Sequence, residues 1–488
     1  MSTKSSQVIV IGSGAGGAVT ALELARAGFD VLVLEEGARH ELSDYGQKAT
    51  TAIQSLYRRR AMMPILGTVP IGYAEGQCVG GSTEINSGFW HRAPRETLLR
   101  WKLQYDLSEA GEEDLESHYT WAEEMLGVGN HPPELPASSR VFAKGVEAMG
   151  WSHYAVPRTA PGCRNTNTCA QGCPTGAKQG MSRKILPLAE SFGARILPSC
   201  RVLLLMKTGK KITGILARQT TPDGLEHLIR LSADAVFVCC GPTETPALLQ
   251  RSGIGYHVGN TLQIHPYLKI AARFKDPIDA HESVMPLLQV KEFAPQLTLG
   301  GSYFSAGYLA LTLSENWPEN MHEMESYRRM AHFYIGVQGT GKGSVKPTWF
   351  GHDSAILRYE LTTSDVNNLS TGLAKAAALL LAGGAEAVFP SVYGIPAIRT
   401  EKEAVRFLDE PLSKSTLSLF TVHAFSSCPI GERIDRCAAD SFGKVYGYEN
   451  LYINDASMLP DSPGVNPQGT IMAVARRNAL AFDRQSIS

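Results

Sequence analysis

QVIVIGSGAGGAV (residues 7–19), followed by VLVLEEG (residues 31–37), decides the fold. Residues 7–11 are short, β-branched and almost wholly apolar, the pattern of a parallel strand buried on both faces. Residues 15–27 carry Ala, Leu and Val at helical spacing, Gly28 closes that helix, and residues 31–34 form a second apolar strand. At the first strand-to-helix turn, Gly12 permits a tight turn, Gly14 lets backbone N–H groups approach a pyrophosphate, and Gly17 lets helix pack on strand. Glu35 ends the second strand, where a carboxylate can accept hydrogen bonds from ribose hydroxyls and disfavours a 2′-phosphate. This strand-helix-strand unit reads as a dinucleotide site, and the motif alone fits FAD or NAD equally.

The remaining composition narrows the class. Of 488 residues, 43% are hydrophobic and 19% charged, the usage of a globular protein. Lys+Arg 46 against Asp+Glu 47 gives a net charge of −1, so no basic surplus exists for nucleic acid. The longest apolar run, near Ala376–Ala382, falls far short of the roughly 20 residues that span a bilayer, so no membrane span is expected. The N-terminus passes into a core strand with no leader-like apolar region, and the cytoplasm is the expected location. Nine cysteines, an odd number in a long chain, do not read as a secreted disulfide framework.

Further along, Arg58, Arg59 and Arg60 form a basic run that reads as a solvated helix face. Residues 94–126 read as helical, 196–231 as hairpin strands around a Thr-Pro-Asp-Gly turn, 236–240 as a buried strand, 266–358 as antiparallel sheet with helical insertions, and 365–382 as an Ala/Leu-rich helix starting near Thr363.

Five blocks in order resemble the glucose-methanol-choline (GMC) oxidoreductase family: VIVIGSGAGG (8–17) with VLVLEEG, CVGGSTEINSG (78–88), VFVCCGPTETPALLQRSGI (236–254), VGNTLQIHP (258–266), and HAFSSCPIG (423–431) with NLYINDASMLPDSPGVNPQGTIMAVA (450–475). The resemblance implies an α/β fold in which a Rossmann-like FAD-binding domain (1–95, 190–268 and 415–488) is interleaved with a substrate domain on an antiparallel sheet (96–189 and 269–414). It implies FAD as cofactor, with Gly81, Ser82 and Asn86 against the flavin, Val202 near the adenine, Gly241 and Asp455-Ala456 near the pyrophosphate and ribityl chain, and Pro467 and Thr470 at the start of a helix whose positive end faces the flavin. His423 and Asn466 then form the catalytic pair: the histidine accepts the proton of an alcohol as hydride leaves for flavin N5, and the asparagine holds the substrate oxygen. The substrate is a small-molecule alcohol, and the electrons pass to oxygen or another acceptor. A lyase on the same fold, binding FAD without net redox change, is the alternative.

Two features depart from the common pattern. Ser426 and Ser427 stand where glycines are usual after the catalytic histidine, and Ala424 follows His423 directly. His265 reads as an exposed second histidine with a structural role. The spacing of Cys163, Cys169 and Cys173-Pro174 resembles the motif of GMC sugar dehydrogenases that carry a three-iron iron-sulfur cluster and pass electrons to a redox protein. The following PTGAKQGM is closer to long-chain-alcohol-oxidising members, in which such cysteines are structural; both readings stand at this point.

Overall fold

The computed structural model describes residues 4–132, 134–348 and 355–487. Two sheets organise it. The first holds seven strands in the order Arg195–Leu197, Val31–Leu34, Lys4–Ile11, Glu226–Val238, Lys211–Thr220 and Cys200–Thr208, with Leu451–Ile453 paired to the same long strand 226–238. Its centre is parallel: Val8 pairs with Val31 and Ile9 with Val236. Val8, Ile9, Val10 and Val31–Leu34 are all buried, each contributing roughly 1.5–3 kcal/mol of transfer free energy, which is why this stretch was readable as a core strand.

Residues 226–238 form one strand of 13 residues where the sequence pattern predicts two pieces. The first half pairs antiparallel with 215–220 and the second half parallel with the N-terminal strand. The first half is exposed on both faces from Glu226 to Leu228, and Ala235–Val238 is buried on both, so the polarity pattern changes partway along a continuous strand.

Helix Ala15–Arg26 lies against the C-terminal helix Gln468–Ile487. The start of the first helix packs closely on the strand ends: a Cβ on Gly16 would lie 2.0 Å from the Asn454 carbonyl oxygen, just after strand Leu451–Ile453, and one on Gly17 2.0 Å from that of Gly12. Gly12 itself has φ +101° and packs on Cys239. Both constraints admit only glycine.

The second sheet has eleven strands, with Tyr267–Phe274 and Met330–Val337 antiparallel at its centre. Helix Thr363–Ala382 covers one face, opened by a capping box between Thr362 and Asp365. Strands Met63–Leu66, Ile71–Tyr73 and Leu419–Thr421, which fall inside the sequence range expected for the first region, are hydrogen-bonded into this second sheet. The chain therefore crosses between the two sheets at residues that line the space between them.

Candidate active site

A cavity of about 390 Å³, open to solvent, runs between the sheets. Contacts along its wall give it an order. It begins at Gly12, Ser13 and Gly14. Gly14 caps the first helix in extended backbone (φ −68°, ψ −167°), and a Cβ there would meet nothing within 4 Å. Gly241, with φ +84°, is equally bare, so two backbone segments face the cavity without side chains. That is the surface a pyrophosphate needs next to a helix N-terminus.

Glu35 lines this end, but its carboxylate is already engaged: Oε2 accepts from Ser13 N (3.0 Å) and Ser13 Oγ (2.6 Å), and Oε1 from Gly37 N (2.8 Å). Burial raises its pKa, outweighing those hydrogen bonds. Val202 also lines the cavity. Asp455 uses its carboxylate internally, accepting from Gly241 N (2.8 Å), Ser457 N (2.7 Å) and Thr245 Oγ1 (2.5 Å), while Ala456 faces the cavity.

Arg58 corrects the sequence reading of residues 58–60 as a solvated face. Its side chain is buried, and it bonds Glu36 (2.8 Å) and Glu75 (2.6 Å) at the cavity wall. Arg201 bridges Glu36 and Glu244. Burial works against the Glu36 charge, but Arg58 and Arg201 overcome it and hold its pKa at about 2. Arg59 remains exposed with its backbone at φ +48°, so only the first arginine of the three turns inward.

The loop 78–88 lies across the glycine turn: Gly80 N donates to Ser13 Oγ (3.0 Å), and a Cβ on Gly81 would come within 3.0 Å of Gly14 Cα. Gly81, Ser82 and Asn86 all reach the cavity. Ser82 Oγ accepts from Gly76 N (2.9 Å). Asn86 does not present a free amide; its Nδ2 donates to Gln468 Oε1 (2.6 Å) and its Oδ1 accepts from Gly88 N (3.0 Å). Gln468, the first residue of the C-terminal helix, lines the cavity with Asn466 and Pro467 and was missed in the sequence, although NPQGT marks the helix start. Two expected residues sit behind the wall: Gly17 packs on Gly12, and Thr470, fully buried, accepts from Tyr119 (3.0 Å).

His423 follows strand Leu419–Thr421 and faces the cavity. Asn466 Nδ2 lies 3.2 Å from its Nε2, while Tyr267 Oη (2.9 Å) and His265 Nδ1 (3.1 Å) approach its Nδ1. An amide N–H donated to Nε2 requires a lone pair there, which places the ring proton of the neutral histidine on Nδ1, facing Tyr267 and His265. Burial lowers the His423 pKa to about 4, so this neutral form is the one present at neutral pH. His265 is buried, not exposed as its sequence context implied; a two-residue ladder pairing Gln263-Ile264 with Ala424-Phe425 sets it beside His423, and its Nε2 bonds Ser462 Oγ (2.8 Å). The serines that replace glycines pin this loop: Ser426 Oγ donates to Pro460 O (2.6 Å) and Ser427 Oγ to Pro242 O (2.7 Å), with Ser426 itself at φ +62°.

Beyond His423 the wall is made by Tyr267, Lys269, Ser302, Tyr303, His332 and Tyr334, none of which the sequence signalled.

The three cysteines do not fit an iron-sulfur cluster. Cys163 and Cys169 both accept from the buried guanidinium of Arg158 (3.5 and 3.3 Å), while Cys173 faces Thr175 (3.3 Å) and the amide of Lys178 (3.4 Å). No group of three or more His, Cys, Asp or Glu converges on a metal position among the described residues. The segment has another use here. Lys178 Nζ donates to the carbonyls of Glu84 (2.6 Å), Asn86 (2.7 Å) and Cys169 (3.0 Å), tying the cysteine loop beneath the loop that reaches the cavity.

A two-sheet α/β scaffold with a bare glycine turn, a helix N-terminus and a histidine-asparagine pair along one cavity defines a dinucleotide-dependent class of protein. GMC oxidoreductase models match residues 7–267 and 342–475, and the chain belongs to that family. It is 37% identical to an uncharacterized GMC-type oxidoreductase, y4nJ, of Sinorhizobium fredii, over 97% of this chain and 94% of that protein. It is 27% identical to the long-chain-alcohol oxidase FAO1 of Arabidopsis thaliana, over 96% of this chain and 65% of that protein. Among solved structures, pyridoxine 4-oxidase from Mesorbium loti superposes with a TM-score of 0.72 at 15% identity, over 98% of this chain and 99% of that one; formate oxidase gives 0.73 at 16%, over 99% of both. These likenesses support the α/β GMC fold. No helix among the described residues is long and apolar enough to cross a membrane.

Proposed function

We propose that this protein binds FAD along the cavity and oxidises an alcohol to a carbonyl compound at His423. The bare backbone at Gly14 and Gly241 fits the pyrophosphate, Val202 and Ala456 fit the adenosine and ribityl portions, and Gly81, Ser82, Asn86 and Pro467 fit the ring end. FAD, when bound, supplies the acceptor for the hydride that leaves the carbinol carbon.

The protein's part is proton management and orientation. The substrate hydroxyl enters between Asn466 and His423; the Asn466 amide donates to the oxygen, and the hydroxyl proton passes to His423 Nε2 as the C–H bond breaks and the C=O bond forms. Tyr267 and His265, on the opposite side of the ring, accept hydrogen bonds from Nδ1–H and stabilise the charged imidazole formed in that step. The electrons then go to oxygen or another acceptor. The y4nJ relative supports an oxidoreductase, and the FAO1 relative one acting on an alcohol; 190–268 and most of 1–95 and 415–488 form the cofactor part, with the second sheet forming the substrate wall.

One observation carries this reading: the 3.2 Å approach of Asn466 to the unprotonated nitrogen of His423, on the cavity wall beside the start of the C-terminal helix. Anaerobic mixing of the yellow protein with a panel of alcohols tests it. Bleaching of the flavin's visible absorbance by at least one alcohol is expected. Flavin that bleaches with dithionite but with no alcohol would refute the oxidation and leave the lyase chemistry.

A further inference from the structure

The wall beyond His423 contains a cation, Lys269, that meets no carboxylate among the described residues. Lys269 lies two residues after Tyr267 on strand Tyr267–Phe274 and so shares its face. Its ammonium donates to Ser302 Oγ and lies 5.5 Å over the Phe420 ring, and it lines the cavity. Among the described residues no carboxylate pairs with it, whereas Arg58 and Arg201 at the other end of the same cavity each meet glutamates. Removal from water lowers its pKa to about 8, which still leaves it charged at neutral pH. An ammonium there with one hydroxyl partner has unused N–H donors and an unneutralised charge.

A second, independent group marks the same wall. His332, two residues from Tyr334 on the neighbouring strand, is 1% exposed. Its Nδ1 donates to the Tyr303 carbonyl (3.2 Å), which leaves the Nε2 lone pair, and that atom has no partner among the described residues. Burial and the Lys269 charge push its pKa down to about 3, so it stays neutral. A buried lone pair is satisfied by an N–H or O–H donor and not by an ionised carboxylate, so His332 marks the space beside Lys269 as polar without itself holding an anion.

We propose that Lys269 and Ser302 form a head-group subsite, and that the alcohol oxidised at His423 also carries a carboxylate, seated on those two side chains. The inference rests on the alcohol-oxidising reading and adds the class of alcohol. Lys269 leaves its strand about 7 Å from Tyr267, whose hydroxyl touches the His423 ring, so a substrate with carbinol and carboxylate on opposite ends of a single ring probes this arrangement.

The test uses the flavin-loaded enzyme and the matched probes 4-(hydroxymethyl)benzoate and 4-(hydroxymethyl)benzamide. In anaerobic flavin reduction, rate constant over dissociation constant should favour the carboxylate at least tenfold. Lys269→Met should bring that ratio near one, and Lys269→Arg should restore most of it. Benzoate, which has no carbinol, should perturb the flavin spectrum of the parent protein and bind at least tenfold more weakly to Lys269→Met. A parent ratio near one, or a ratio unchanged in Lys269→Met, would overturn the subsite. If Lys269→Met is colourless, the parent ratio decides alone. If no alcohol of any charge bleaches the flavin, the oxidation reading fails separately, and benzoate binding decides the subsite: binding to the parent supports it, and no binding overturns it.

Discussion

Replacing Tyr267 by Phe probes the far side of the histidine without touching the reacting atoms. The ring, which packs edge-on to Tyr334 (centroids 5.1 Å apart) and His423 (5.7 Å), is retained. What is lost is the hydroxyl 2.9 Å from His423 Nδ1. That hydrogen bond gains strength as the imidazole becomes charged, and a bond to a charged group is worth about 1.5–3 kcal/mol, or roughly 10- to 150-fold in rate. His265 Nδ1, at 3.1 Å, is a second acceptor for the same proton and takes over part of the role. The expected loss is therefore near the lower limit, about tenfold in the rate of anaerobic flavin reduction by stopped-flow, with flavin content unchanged. The pH profile carries a second signature. Burial holds the His423 pKa at about 4, so the proton-accepting form persists from neutral pH downward and the rate falls only below that value. The titratable groups facing the ring are His265, itself pushed well below its ordinary value by burial and by His423, and Tyr267, pushed well above by burial. Loss of an acceptor for the charged form lowers the His423 pKa further, so the acid limb of Tyr267→Phe should move to lower pH. A variant that reduces its flavin at the parental rate, or an acid limb that moves upward, would refute the assignment of the Nδ1 proton.

Two other outcomes follow from the same geometry. Gly14→Val should give a folded but colourless protein, because the extended backbone at residue 14 accepts a β-branched residue and its side chain projects into empty cavity; stoichiometric flavin in the purified variant would contradict the cradle. Arg58→Met leaves Glu36 and Glu75 buried without this partner and should cost about 3–5 kcal/mol of stability, read from the shift of the urea midpoint; a midpoint equal to the parent's would remove Arg58 from the list of structural ions.

How much of this was legible in the sequence depended on the distance between partners. The glycine turn was readable because its constraints are local: Gly12, Gly14 and Gly17 act on a strand and helix that adjoin them. The histidine and asparagine came from family resemblance, since nothing in the residues around 423 or 466 reveals that they meet. Arg58 was misread because three successive arginines carry the same local pattern whether solvated or buried, and its carboxylates come from residues 36 and 75. Lys269 looked like an ordinary strand residue; only the packing of strand Met330–Val337 and Ser302 around it shows a cation facing the cavity. The cysteine spacing admitted a cluster, and what decides against it is Arg158, a cation between two of the sulfurs that no spacing rule includes.

In the proposed reaction His423 receives the substrate proton. The most direct test of that step is the rate of anaerobic flavin reduction in His423→Ala, measured by stopped-flow with an alcohol that bleaches the parent. Removal of a positioned base should slow that step by roughly 10²- to 10⁴-fold while the protein stays yellow, because no cofactor phosphate depends on this side chain. Reduction of the His423→Ala flavin at the parental rate would contradict the account and move proton acceptance to another group.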